Sequence, residues 1–304
     1  MPLPNFVIIG AAKSGTTAMY HALKQHPQIY MSPVQEPCFF IFDGFPPDFR
    51  GPGAQRFNRE VVTDWKAYLT LFDQATDQIA LGEGSSLYLH AFRPEGTAEN
   101  MRRRIPQAHL VAILRHPADR AYSAYTFFRQ MGYEPLPTFA QALADETRRI
   151  EQNWMMGRYR EGGMYYANLQ VYFQRFPREQ IRVYLYEDWN RQPQVVLRDL
   201  FHFLGVDDTF LPDTSVRRNV TYLPRSRAME AFLRQPHLLK AAVRQVVPRI
   251  WRERVSEAIR SLNSQGPPTP LEAEMRRQLI EGYREDILKL QDLIGQDLSH
   301  WLAP

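Results

Sequence analysis

Cysteine is almost absent from this 304-residue chain. The one example, Cys38, excludes an internal disulfide and fits a reducing compartment. No apolar run approaches the roughly 20 residues needed to cross a bilayer, so no membrane span is expected. The opening "MPLPN" lacks the basic start and apolar stretch of a secretory signal, which points to a soluble cytoplasmic protein. Internal repeats and low-complexity tracts are missing as well, which sets aside solenoids and disordered tails. No His, Cys or carboxylate cluster stands at metal-ligand spacing, and no metal is expected. Net charge is only +4, with arginines spread along the chain. That distribution reads as anion handling at a site, with no nucleic-acid face. On oligomeric state the sequence is silent.

What remains is a chain built to bury a sizeable core, with 44% apolar and 23% charged residues. Four β-rich runs stand out: "FVII" (6–9), "QIYM" (28–31), "HLVAIL" (109–114) and "IRVYLY" (181–186), with a weaker fifth, "IALGE" (79–83). Most are continuously apolar, as strands covered on both faces of a parallel sheet are. Helical patterns lie between them. Ala18, Met19, Ala22 and Leu23 share a face, and Pro117 suits the first turn of a helix. Tyr165, Leu169, Tyr172 and Phe176 repeat at helical spacing, as do Leu279, Tyr283, Ile287, Leu290 and Ile294 before Gly295. Strands alternating with helices predict an α/β layered domain with a mainly parallel sheet. We expect one domain over 1–304, with an α/β cofactor-binding core at 1–224 and a helical extension at 225–304. The Pro/Gly-rich stretch 44–58 reads as a surface loop.

The first strand runs into "GAAKSGTT" and then a helix. Gly10 and Gly15 permit the backbone angles of an anion nest, and Thr16 and Thr17 stand at a helix N-terminus, where free N–H groups favour negative charge. Lys13 adds a mobile charge. Its position is unlike the triphosphate loop, in which lysine follows the second glycine. A turn in which Thr16 merely caps the helix and Lys13 faces water is the plain alternative.

This loop resembles the 5′-phosphosulfate loop of sulfotransferases that use 3′-phosphoadenosine 5′-phosphosulfate (PAPS), where the lysine precedes the second glycine. The resemblance covers residues 5–220 and implies a P-loop-like three-layer fold with helices on both faces of the sheet. It implies that Lys13, Ser14, Gly15, Thr16 and Thr17 bind the phosphosulfate and that Lys13 stabilises charge on the departing bridging oxygen. "ILRHPADRAYSAY" (113–125) is similar to the family's 3′-phosphate element, which assigns Arg115 and Ser123 to that phosphate. The looser match "VRRNVTYLPRS" (216–226) adds Arg217, Arg218 and Arg225.

"MSPVQEPCFF" (31–40) resembles the Glu-Pro segment of the carbohydrate-type branch and makes Glu36 the general base. Pro37 is expected to hold Glu36 extended. Gln35 stands where the family often has lysine. Relatives acting on small phenols and steroids use histidine, for which His116 and His90 are stand-ins, although a histidine beside Arg115 is more often an ordinary element-end residue. "LGEGSSLYL" (81–89) resembles an acceptor-contacting segment, which assigns Glu83, Ser86 and Tyr88 to the acceptor, with Gly84 in place of the family's lysine. The implied reaction is in-line sulfuryl transfer from PAPS to a carbohydrate or other hydroxyl, releasing adenosine 3′,5′-bisphosphate (PAP), without a metal. The rivals are a P-loop kinase or NTPase, which needs lysine after Gly15 and an aspartate at a neighbouring strand end, and a non-catalytic nucleotide-binding protein.

Overall fold

The computed structural model describes residues 2–90, 92–215, 266 and 269–303. All five apolar runs form strands: β1 (Phe6–Gly10), β2 (Ile29–Met31), β3 (Ala80–Gly84), β4 (His109–Leu114) and β5 (Ile181–Leu185). They make one sheet in the order β2-β3-β1-β4-β5, with every neighbouring pair parallel. The helices that position the site are α1 (Thr16–Leu23), α2 (Pro94–Arg104), α3 (Pro117–Met131), α4 (Tyr165–Phe173), α5 (Pro193–Leu204) and α6 (Ala273–Ile294).

Because successive strand residues point to opposite faces, a strand buried on both sides must be apolar throughout. Phe6 and Ile8 of β1, with Val111, Ile113 and Tyr184, pack against Met19 and Leu23 of α1 and Leu197, Leu200 and Phe201 of α5. Val7 and Ile9 join Leu110, Ala112 and Leu114 on the other face, against Met101 of α2, Leu169 and Tyr172 of α4, and Leu279 and Ile287 of α6. The result is the expected three layers, each large side chain contributing roughly 1.5–3 kcal/mol by its removal from water.

Helix α6 belongs to this packing. Its Asp286 accepts from the backbone N–H groups of Tyr166 (3.0 Å) and Ala167 (3.2 Å), capping α4. Leu298 and Trp301 beyond it are fully buried. The expected division near residue 225 lies outside the described residues. Among those described, no helix is long and apolar enough to cross a membrane.

Stretch 44–58 is loop only as far as Gly53, after which a helix runs over Ala54–Glu60. The glycines punctuate the segment without preventing a short helix behind them.

Chain order determines where a ligand can sit. From β1 the chain moves to β2 and returns inward to β3, then crosses to β4 on the other side of β1. The direction of winding reverses between β1 and β4, and crevices form beyond the carboxyl ends of strands at such a point. The loops after β1 and β4 therefore emerge side by side, tied by the Ala11 N–H donating to Ile113 O at 2.8 Å.

Candidate active site

Beyond these strand ends lies a cleft of ≈ 1570 Å³. It exceeds the few hundred to 1,000 Å³ of an ordinary single-ligand pocket. Lys13, Gly15, Thr16 and Thr17 line it from the β1 loop, Arg115 from the end of β4, Arg120 and Ser123 from α3, and Glu36 with Ser86 from the β2 and β3 ends. Residues from four separate motifs thus face one space.

The β1 loop is set up for an anion. Gly15 is the N-cap of α1, with φ 101° and no side-chain cap. Its ideal Cβ would stand 3.1 Å from the Tyr186 ring, so a side chain here meets both an unfavourable φ and a wall. With no side chain capping the helix, Thr16 is not a cap, and the first N–H groups of α1 are left for a ligand. Lys13 is itself left-handed at φ 71°. Its Nζ lies 3.8 Å from the centroid of the Phe127 ring. Burial, and then the charges of Arg115 and Arg120, bring its pKa down to about 8.

Arg115 lies over the Tyr186 ring at 4.8 Å, and its Nη1 donates to Lys13 O at 3.5 Å. The side chains of Arg120, Ser123 and Phe127 recur every three or four residues, so α3 presents them on one face. Arg120 is buried and donates to Tyr159 O. Lys13, Arg115 and Arg120 enter no ion pair among the described residues. Three neighbouring cations that enter no ion pair among the described residues make an electrostatic demand that a multiply charged anion meets. Motif matching reached Lys13 and Arg115 but missed Arg120 and Tyr186. The turn spacing of Arg120 to Ser123 was the signal for the first.

Glu36 is not extended. Its φ is 57°, and its N–H donates to Gly84 O at 3.0 Å. A following proline favours extended backbone, so this left-handed conformation is imposed by the surroundings and not by Pro37. The N–H and Oγ–H of Ser86 donate to the two carboxylate oxygens of Glu36 at 2.8 Å each. The residue is exposed to the cleft, but its carboxyl group is turned against the loop after β3. Desolvation there pushes its pKa up to about 7 against the opposing bonds from Ser86 and Leu87. That value suits a base working near neutrality.

Several expected site residues point elsewhere. Glu83 and Tyr88 are fully buried and do not line the cleft; Tyr88 Oη donates to Glu83 at 2.6 Å. Glu83 falls on the inward side of a strand, whereas Ser86, past the strand end, turns out to the cleft. Ser14 is also fully buried and does not line the cleft, its N–H donating to Ala11 O at 3.2 Å. Arg217, Arg218 and Arg225 lie outside the described residues. His90 does line the cleft, stacked 4.0 Å from Phe92, but burial and then Arg158 and Arg120 press its pKa well below normal, making it a weak base.

His116 is no base either. Its Nδ1 accepts from the Ala118 N–H at 3.2 Å as the N-cap of α3, and Nε2 bonds Trp301 O at 3.0 Å. Burial lowers its pKa to about 4. We expect His116→Ala to cost about 1–2 kcal/mol of stability through the lost cap, seen as a lower midpoint in urea unfolding, with kcat unchanged.

Comparison with known proteins agrees with this geometry. Residues 4–210 match the family described as "Sulfotransferase family". A sulfotransferase of Alicyclobacillus acidocaldarius, known as a crystal structure, is 34% identical, with a TM-score of 0.78 and full coverage of both chains. The human bifunctional heparan sulfate N-deacetylase/N-sulfotransferase 3 is 24% identical over 99% of this chain. Carbohydrate sulfotransferase 15 of Mus musculus is 26% identical over 67% of it. This chain spans 31% and 44% of the lengths of those two proteins. With its fold, its phosphate-type loop and the match across most of its length, the chain belongs to the sulfotransferase family.

Proposed function

We propose that this protein transfers a sulfuryl group from PAPS to a hydroxyl acceptor by in-line displacement. The observation that carries the reading is the single cleft that holds a partly desolvated lysine, an elevated-pKa glutamate and an arginine–serine pair on neighbouring elements. Gly15, Thr16 and Thr17 hold the 5′-phosphosulfate through backbone N–H groups, and Arg115 and Ser123 take the 3′-phosphate. Tyr186, beside Gly15 and beneath Arg115, supplies a flat wall between the two grips.

Glu36 takes the acceptor's hydroxyl proton as the acceptor oxygen bonds to sulfur. The bond from sulfur to the bridging oxygen breaks, and Lys13 meets the charge that collects on that oxygen. The products are a sulfate ester and PAP. The charge is met by Lys13 and the α1 N-terminus, so the donor is expected to bind without a metal. The names of the relatives favour a carbohydrate as acceptor, the first of them naming nitrogen as the sulfated atom.

Thermal shift tests the donor assignment. PAP at 100 times its Kd is expected to raise stability by about 2.7 kcal/mol without Mg²⁺, while ATP with Mg²⁺ gives no comparable shift. The reverse ranking would turn the reading toward a P-loop kinase or NTPase. Stabilisation by PAP without turnover of any acceptor, in a screen with labelled PAPS, would favour a non-catalytic nucleotide-binding protein.

A further inference from the structure

Glu83 is a fully buried carboxyl group that the mechanism above does not use. Its Oε1 accepts from Tyr88 Oη at 2.6 Å and Tyr68 Oη at 3.4 Å, and its Oε2 shares a bond of 2.8 Å with Ser85 Oγ. Two of those hydroxyls reach onward to the segment that carries Glu36. The Cys38 N–H donates to Ser85 Oγ at 3.0 Å, and the Phe40 N–H donates to Tyr88 Oη at 3.5 Å. Together with the bond from the Glu36 N–H to Gly84 O, alternate backbone groups at 36, 38 and 40 are tied to 84, 85 and 88.

The segment needs such ties. Glu36 and Cys38, on either side of Pro37, are both left-handed, at φ 57° and 54°. Each conformation costs about 1–2 kcal/mol and persists only where its surroundings impose it. Ser86, which orients the Glu36 carboxylate, follows directly after Ser85.

We propose that Glu83 is a positioning residue for Glu36: by anchoring Ser85 and Tyr88 it fixes the strained 36–40 segment, so that Glu36 stays at the cleft wall with its carboxylate held on Ser86. The proposal rests on the reading of Glu36 as the base. A carboxyl group suits the place because it can accept from the tyrosines on one oxygen and meet Ser85 on the other. Burial pushes the pKa of Glu83 up to about 8, against the bonds from Tyr88 and Ser85, and the Glu36 charge adds to the rise. Glu83 is thus protonated at neutral pH and adds no charge beside the base. The nearby Cys38, Tyr68 and Tyr88 are likewise held neutral by burial.

Glutamine reproduces this protonated form, with an acceptor toward the tyrosines and a donor toward Ser85. The test is steady-state turnover of the full chain, with labelled PAPS and an acceptor found by screening. Glu83→Ala is expected to lower kcat by about 10–100-fold, the order seen when a reacting group is misplaced by about an ångström. PAP affinity should stay within about twofold, because the phosphate grips are on other elements. Loss of the Ser86 bonds, which favour the charged form, should move the acid limb of the kcat profile to higher pH. Glu83→Gln should restore kcat to within about threefold and return the limb to its original position. If Glu83→Ala does not fold, Ser85→Ala carries the test, with an expected loss of about 10-fold in kcat.

A kcat within threefold of the parent and an unmoved acid limb in Glu83→Ala or Ser85→Ala would overturn the proposal. So would a Glu83→Gln variant as impaired as Glu83→Ala. Failure of the underlying reading shows separately, as full turnover by Glu36→Gln.

Discussion

Lys13→Ala is expected to lower kcat by about 10³-fold while weakening PAP binding far less. The reasoning starts from position. Lys13 lies in the turn between β1 and α1, so its Nζ enters the cleft beside the free N–H groups of the helix. It is already partly desolvated, which brings its pKa down to about 8. A cation in that state gains most when negative charge grows nearby, and on the proposed mechanism that growth occurs on the bridging oxygen in the transition state. The phosphates of PAP keep Arg115, Ser123 and the helix N-terminus in the variant. The loss should therefore fall on kcat, and Lys13→Met, which retains an apolar stem without the charge over Phe127, should behave like alanine. Single-turnover sulfuryl transfer alongside PAP titration separates the two quantities. Equal losses in both would show that Lys13 contributes ground-state binding alone.

Glu36→Gln carries the second large effect, a fall in kcat of about 10²–10⁴-fold. The amide keeps the size of the carboxylate and one acceptor for Ser86, so the fold should survive and the loss should report the missing base. The pH dependence follows from two groups. Glu36 must be ionised, and with a pKa of about 7 it loses activity as pH falls below neutrality. Lys13 must be protonated, and at about 8 in the free protein it loses activity as pH rises beyond that. The profile of kcat/KM for PAPS should be a narrow bell between these limits. Bound phosphosulfate favours the charged lysine, so the alkaline limb of kcat should lie at higher pH than that of kcat/KM. In Glu36→Gln the acid limb should disappear while the alkaline limb remains.

Much of this was legible in the residues themselves. A buried parallel strand announces itself as a short, mostly apolar run; four stood out that way, and the weaker "IALGE", with Glu83 within it, became β3. That Lys13, Gly15 and Arg115 would face one cleft was legible because all three stand just past strand ends. Glu83 and Tyr88 were misassigned for a physical reason. A motif gives order along the chain, but the pleat of β3 decides which side chains turn inward, and Glu83 lies among hydroxyls that arrive from Tyr68, fifteen residues upstream. Arg120 escaped notice because its role depends on a helix face shared with Ser123 and on Tyr159, thirty-nine residues away. The left-handed Glu36 had no signature beyond the proline after it, which restricts the backbone without selecting this region.

The winding of the sheet divides responsibility for the reaction between two stretches of chain. On the proposed mechanism, the described groups that clasp the nucleotide ends lie at 10–17 and 115–123, on adjacent strand tips. Between them the polypeptide makes one long detour through β2 and β3, and that detour contains Glu36, Ser86 and the buried support beneath them. Because it leaves and rejoins the sheet beside β1, its outer loops can be exchanged between relatives without altering the spacing of the clasp. Transplanting 32–90 as one block should carry proton abstraction and acceptor preference together, leaving the carrier end of the molecule untouched.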